Sequence, residues 1–197
     1  MKKNRFLAIL LTFALSTVML TACGGEKPSE PAENTEEAEE LVLEGTPWEM
    51  SLGEVKADIT VPETLEVETD VSTNVFRVYG ADKAFEFSGF ISDYPNMNNS
   101  TDFADMKAKV QKDGDLSNYT ETEYSGLEAY YCTGMYYSGG YMVYCNLDFG
   151  NNENVIACEF RVLDAEGNID KEKTPEEVLE VFFTDDVQAV LNSIAMM

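Results

Sequence analysis

Apolar residues run along this chain in three rhythms. Phe6 to Leu20 is an almost unbroken apolar stretch, the middle of the chain alternates, and the last quarter repeats every three or four residues. Alternation signals half-buried strands, and a spacing of three and four signals an amphipathic helix. The folded part is expected to begin near Gly45, with Pro47-Trp48 as a short apolar opening and Trp48 on the domain edge. Val55, Ala57, Ile59 and Val61 alternate with polar residues, a strand stopped by Pro62. Val75 to Tyr79 and Ala84 to Ile91 read as two strands around the turn Gly80-Ala81-Asp82. Pro95 and the asparagines Asn96, Asn98 and Asn99 make a loop. Ser100, Thr101 or Asp102 can then cap a helix carrying Phe103, Met106 and Val110 and ended by Gly114. Tyr119 to Tyr124 is a short strand.

Leu127 to Leu163 reads as a three-stranded meander with turns centred on Ser138-Gly139 and Asn151-Asn152. Folding back symmetrically about those centres aligns Cys132, Cys145 and Cys158 in one row. The neighbouring rows are Tyr130, Leu147 and Ile156, then Gly134, Val143 and Phe160, then Tyr136, Tyr141 and Val162. That face is expected to be the core. The opposite face is mixed, with Met135, Met142 and Arg161, then Thr133, Tyr144 and Glu159, then Tyr131, Asn146 and Ala157. Thr174-Pro175-Glu176-Glu177 is a capping box with proline at the first helical position. Val178, Val181 and Phe182 follow. Thr184-Asp185-Asp186 breaks and recaps the helix, and Val187, Val190, Leu191 and Ile194 form a second stripe that covers the sheet.

The pattern as a whole is α+β, an antiparallel sheet with flanking helices, over residues 45–197 as a single domain. Ile59-Thr60-Val61-Pro62, Ser125-Gly126-Leu127-Glu128-Ala129 and Leu191-Asn192-Ser193-Ile194 frame residues 52–197, and together they resemble the PsbP-like family. That resemblance implies an antiparallel sheet between helices in an α/β/α sandwich. The family spans photosystem extrinsic subunits, a nuclear import factor and bacterial lipoproteins, so it implies binding or scaffolding more often than catalysis. No functional residue of the family can be matched here. A cystatin-like α+β fold is the alternative.

The first segment has a different grammar. Lys2, Lys3 and Arg5 precede the apolar run, and small residues lead into a cysteine. These are the n-region, h-region and cleavage site of a secretory signal over residues 1–22. Leu20-Thr21-Ala22-Cys23 followed by two glycines resembles the lipobox of bacterial lipoproteins. The resemblance implies a diacylglyceryl group on Cys23, which then becomes the first, acylated residue. An uncleaved membrane anchor is the alternative, since Phe6 to Ala22 is at the short limit of a spanning helix. Residues 24–44 carry eight glutamates with Pro28 and Pro31. So acidic a stretch is expected to be a disordered tether, with a root-mean-square span of roughly 25 Å. The expected location is the extracytoplasmic face of the cell membrane.

Charge sharpens this picture. The 197 residues hold 13 Lys+Arg and 37 Asp+Glu, and cleavage before Cys23 removes three bases and no acid, leaving −27. Such a chain repels phosphate backbones, which excludes nucleic acid as a partner. With no histidine in the chain, Ser-His and Cys-His nucleophile pairs and histidine metal sites are absent. No cofactor or metal site is expected. Three thiols in one row of a flat sheet do not converge on a metal tetrahedrally. Cys132, Cys145 and Cys158 are candidates either for buried thiols or for a cross-strand disulfide involving Cys145. Asp164 to Asp170 is expected to be a turn, with weak calcium binding as its alternative; its glycine falls fourth, not sixth as an EF-hand loop requires.

Tyr131, Met135, Tyr137, Met142 and Tyr144 are the candidate contact patch for a protein or glycan partner at the cell surface. The expectation is therefore a non-catalytic binding or scaffolding module held at the membrane by its lipid. A carboxylate-based hydrolase of wall glycans is the competing class.

Overall fold

A computed structural model describes residues 44–68 and 74–197. The signal segment, Cys23 and the tether up to residue 43 lie outside the described residues. The described part is α+β with antiparallel sheets, as the alternating pattern implied.

Strands β1 (Gly45–Leu52) and β2 (Val55–Pro62) form a hairpin across Gly53-Glu54. Gly53 supplies the positive φ of 65° that so tight a turn requires. The hairpin corrects the expected short opening at Pro47-Trp48: β1 is a full strand. Only Met50 of it is fully buried, so its apolar period is too weak to read. A two-residue strand at the chain's end, β10 (Ala195–Met196), pairs with the other edge of β2.

The larger sheet runs in the spatial order β3 (Glu66–Val67), β4 (Val75–Tyr79), β5 (Phe85–Asp93), β9 (Asn154–Val162), β8 (Tyr141–Asp148), β7 (Leu127–Met135) and β6 (Leu116–Tyr124). Its first face carries Phe76, Phe87, Val143, Cys145, Leu147, Ile156, Cys158 and Phe160, all fully buried. Helix α2 (Pro175–Phe182) packs on β7, β8 and β9 from that side, β1 packs on β4 and β5, and α3 (Asp185–Asn192) lies on β2. Fully burying a side chain such as Phe182 contributes about 1.5–3 kcal/mol. Among the described residues no helix is long and apolar enough to cross a membrane.

The second face is covered at one corner by α1 (Phe103–Val110). Asp102 caps it, its carboxylate accepting from the Asp105 N–H at 2.8 Å. The helix stops at Val110 and a turn carries the chain to Gly114. Phe103, Met106 and Val110 pack with Tyr94 on Tyr130, Cys132 and Val155. Lys107 ties the helix to β6 and β7 through Glu121 at 2.8 Å and Glu128. Elsewhere this face is charged: Glu86 pairs with Arg77 and Arg161, and Arg77 also reaches Glu68 at 2.9 Å.

The second meander turn has the expected register, with Cys145 opposite Cys158. The first is offset by one residue, so that Cys132 faces Tyr144 and Tyr131 faces Cys145. The cause is the turn itself. Five residues, Tyr136 to Gly140, connect Met135 to Tyr141, and Gly139 N–H donates to Tyr136 O at 2.8 Å. Tyr136 N–H donates to Gly140 O at 2.9 Å, so three residues, Tyr137 to Gly139, form the tip, one more than a symmetrical two-residue turn holds. That extra residue turns every side chain of β7 over. The three-cysteine row is therefore corrected to a Cys145–Cys158 pair on the first face, with Cys132 on the second.

Candidate functional site

The offset in β7 builds the feature of interest on the second face. Two cross-strand rows form a floor there. One runs Tyr130, Asn146, Ala157, Phe90; the next runs Cys132, Tyr144, Glu159, Ser88. Ala157 is small, so its row dips between Asn146 and Phe90. Met106 and Val110 of α1, with Met97, Asn98, Asp113 and Leu116, complete a cleft of about 290 Å³.

The lining is aromatic and aliphatic with a few polar atoms, the usual composition of a small-molecule site. Two of those atoms are anomalous. Asn146 is 5% exposed and its Oδ1 has no hydrogen-bond partner; Tyr130 is 0% exposed and its hydroxyl has none either. An unpaired buried polar group costs about 1–3 kcal/mol, so two of them in one cleft are a feature that folding alone does not favour. Tyr130 stacks between Phe103 and Tyr119, at 5.6 and 5.4 Å between ring centroids, which holds its ring in place.

The electrostatics are one-signed. Among the described residues Glu159 and Asp113 are the carboxylates at the cleft, and no Lys or Arg lines it. Among the described residues Glu159 has no cation within pairing distance, whereas the neighbouring Arg161 is taken by Glu86. Burial, with the charge of Asp113 behind it, pushes the Cys132 thiol up to about 12. Burial and then the charge of Glu159 raise Tyr144, and burial raises Tyr130. All three groups stay protonated near neutrality.

The structure disperses the candidate contact patch. Tyr131 lies on the first face, stacked on Phe182 at 5.8 Å and Phe183 at 5.3 Å beneath α2. Met142 is fully buried and Tyr144 lines the cleft. Only Met135 and Tyr137 are exposed, at 61% and 89%, at the β7–β8 turn. Cys132, Cys145 and Cys158 are buried free thiols, and a Cys132–Cys145 bridge is barred because the two lie on opposite faces. Asp164 accepts from the backbone N–H groups of Glu166 and Asn168 at 3.0 and 2.8 Å, and Leu163 bridges Ile169, as a turn requires. Among the described residues no cluster of three metal-ligating side chains occurs. Cys23 lies outside them.

Sequence reasoning passed over Tyr130 and Asn146 as site residues. Asn146 did carry a signal: an amide between Cys145 and Leu147, mid-strand, has to find a partner or a ligand. No protein-family model and no curated protein matches this chain.

Proposed function

We propose that this chain is a lipid-anchored lipoprotein of the extracytoplasmic membrane face, whose folded part is a non-catalytic binding module of the PsbP-like kind. The observation that carries the binding reading is the cleft on the second sheet face, where Asn146 and Tyr130 hold unpartnered polar atoms among aromatic, aliphatic and acidic lining residues. The anchoring reading rests on Leu20-Thr21-Ala22-Cys23 behind an apolar run with a basic head. Two acyl chains hold where one exchanges, since each buried CH₂ contributes about 0.8 kcal/mol.

The PsbP-like reading rests on the resemblance of three framing segments, which lie in contact in this fold. Ser193 Oγ accepts from Thr60 N–H at 2.9 Å, and Ser125 Oγ donates to the Asn192 carbonyl. Segments far apart in sequence thus close on one another at the end of β2.

Two measurements test the proposal. Cells fed an alkyne fatty acid should label the wild-type protein and carry it into the detergent phase. A Cys23→Ala protein should be unlabelled; label on that variant would refute the anchor. A fragment screen by amide chemical shifts should then map its hits to β7, β8 and α1. Hits confined to other surfaces would refute the cleft as the binding site.

A further inference from the structure

The cleft's polar atoms specify more than a generic ligand. Among the described residues Asn146 Oδ1 is an acceptor with nothing to accept from, and Glu159 is an acceptor with no cation within pairing distance. The two belong to neighbouring strands, with Asn146 opposite Ala157 and therefore diagonal to Glu159. Diagonal positions in an antiparallel pair sit about 7–8 Å apart, so the Asn146 amide and the Glu159 carboxylate have to lean toward each other for one ammonium, with N–H···O distances of about 2.8 Å, to reach both. Tyr144 and Phe90 also line the cleft, and aromatic rings attract a cation through their quadrupoles. Ala157 leaves the hollow that an apolar body would fill. A chain with 37 acids and 13 bases also draws cations toward itself and repels anions.

We propose that the cleft binds a small primary amine, its ammonium held between Asn146 and Glu159 and its hydrocarbon body over Ala157 against α1. This rests on the binding-module reading and adds the chemical class of the ligand. A cavity of about 290 Å³ suits a ligand of this kind, given that one of about 150 Å³ takes benzene.

The test uses the full-length protein, solubilised in detergent, titrated with 2-phenylethylamine, 2-phenylethanol and 3-phenylpropionate. Affinities come from calorimetry and the site from amide chemical shifts. The amine should bind at least tenfold more tightly than the alcohol, the carboxylate least, with shifts at Asn146, Ala157 and Glu159. Tenfold corresponds to about 1.4 kcal/mol, which one charge-assisted hydrogen bond can supply. Glu159→Gln should weaken the amine about tenfold and leave the alcohol unchanged. Ala157→Leu, which fills the hollow, should abolish both.

Alcohol or carboxylate binding as tightly as the amine in the cleft would overturn the amine assignment while leaving a binding cleft in place. If no probe shifts the cleft residues, both readings fall. Glu159→Gln alters a half-buried side chain without changing its size, so its result stands even if Ala157→Leu does not fold.

Discussion

A Cβ at Gly140 would lie 2.3 Å from Ile169 Cγ2, on a backbone whose φ is +86°. Left-handed backbone costs a non-glycine residue about 1–2 kcal/mol, and overpacking adds about 1–3 kcal/mol. Gly140→Ala should therefore destabilise the protein by about 2–5 kcal/mol in urea unfolding. Gly126, at φ +77° with open space around its Cβ position, serves as the control; its alanine variant should lose only the backbone term. Equal losses would remove the packing role given to Gly140. The thiols make a second residue-scale case. Burial raises Cys132 to about 12 and also raises Cys145 and Cys158, so the folded state keeps protons that the unfolded chain releases near pH 8.5. Their contribution is complete below that pH and is lost as pH rises toward the folded values. Each thiol then subtracts about 1.4 kcal/mol per pH unit. Unfolding free energies at pH 7, 9 and 10 should fall accordingly, and more shallowly in a Cys132→Ala/Cys145→Ala/Cys158→Ala protein. Parallel slopes would show that the thiols titrate alike in both states.

Helix α2 shows why some elements are legible in sequence. Thr174 Oγ1 accepts from Glu177 N–H at 3.3 Å and Glu177 Oε2 accepts from Thr174 N–H at 2.9 Å, the reciprocal pair that Thr-Pro-Glu-Glu encodes locally. Strands β2 and β4 are equally readable because each buries one face and alternates, whereas β8 and β9, buried on both faces for most of their length, are legible through the turns that bound them. The β7 register is not. Cys132 is apolar enough for either face, and α1 covers the second face where β7 turns it, so a row of apolar partners could not choose between registers. The cleft stayed hidden for the same reason: Tyr130 and Asn146 become neighbours only through the five-residue turn. The helix also invites a two-part test. Thr174→Ala removes the cap and should cost about 1 kcal/mol. Phe182→Ala empties a fully buried site packed on Phe160 and Tyr131 and should cost about 3–5 kcal/mol. Thermal melts followed by circular dichroism separate the two. A Phe182→Ala loss no larger than that of Thr174→Ala would mean that α2 does not seal the first face.

At the scale of the whole molecule, charge and coverage pull in opposite directions. The first face is sealed by α2 and the β1–β2 hairpin, while the second keeps an open stretch in a molecule of net charge −24. The five bases that form ion pairs among the described residues, Lys56, Arg77, Lys107, Lys109 and Arg161, leave many acids unmatched. The exposed pairs, those of Lys56 and Lys109, contribute about 0–1 kcal/mol each, so salt that weakens them costs little, and the pairs of the buried Glu86 are screened less. Screening the unmatched acids acts on every pair of like charges at once. The Debye length falls from about 30 Å at 0.01 M to about 10 Å at 0.1 M salt, from beyond the domain's radius to within it. Self-repulsion destabilises the compact state, and its relief should outweigh the loss of the pairs. The melting temperature should rise by several degrees between 10 and 300 mM sodium chloride, most of it below 100 mM, because a shift of about 2–4 °C per kcal/mol applies to domains of this size. Calcium at equal ionic strength should add nothing if Asp164 serves only its turn. A melting temperature that falls with salt would place the dominant electrostatic term in the ion pairs, and the one-signed field invoked to draw an amine into the cleft would lose its support.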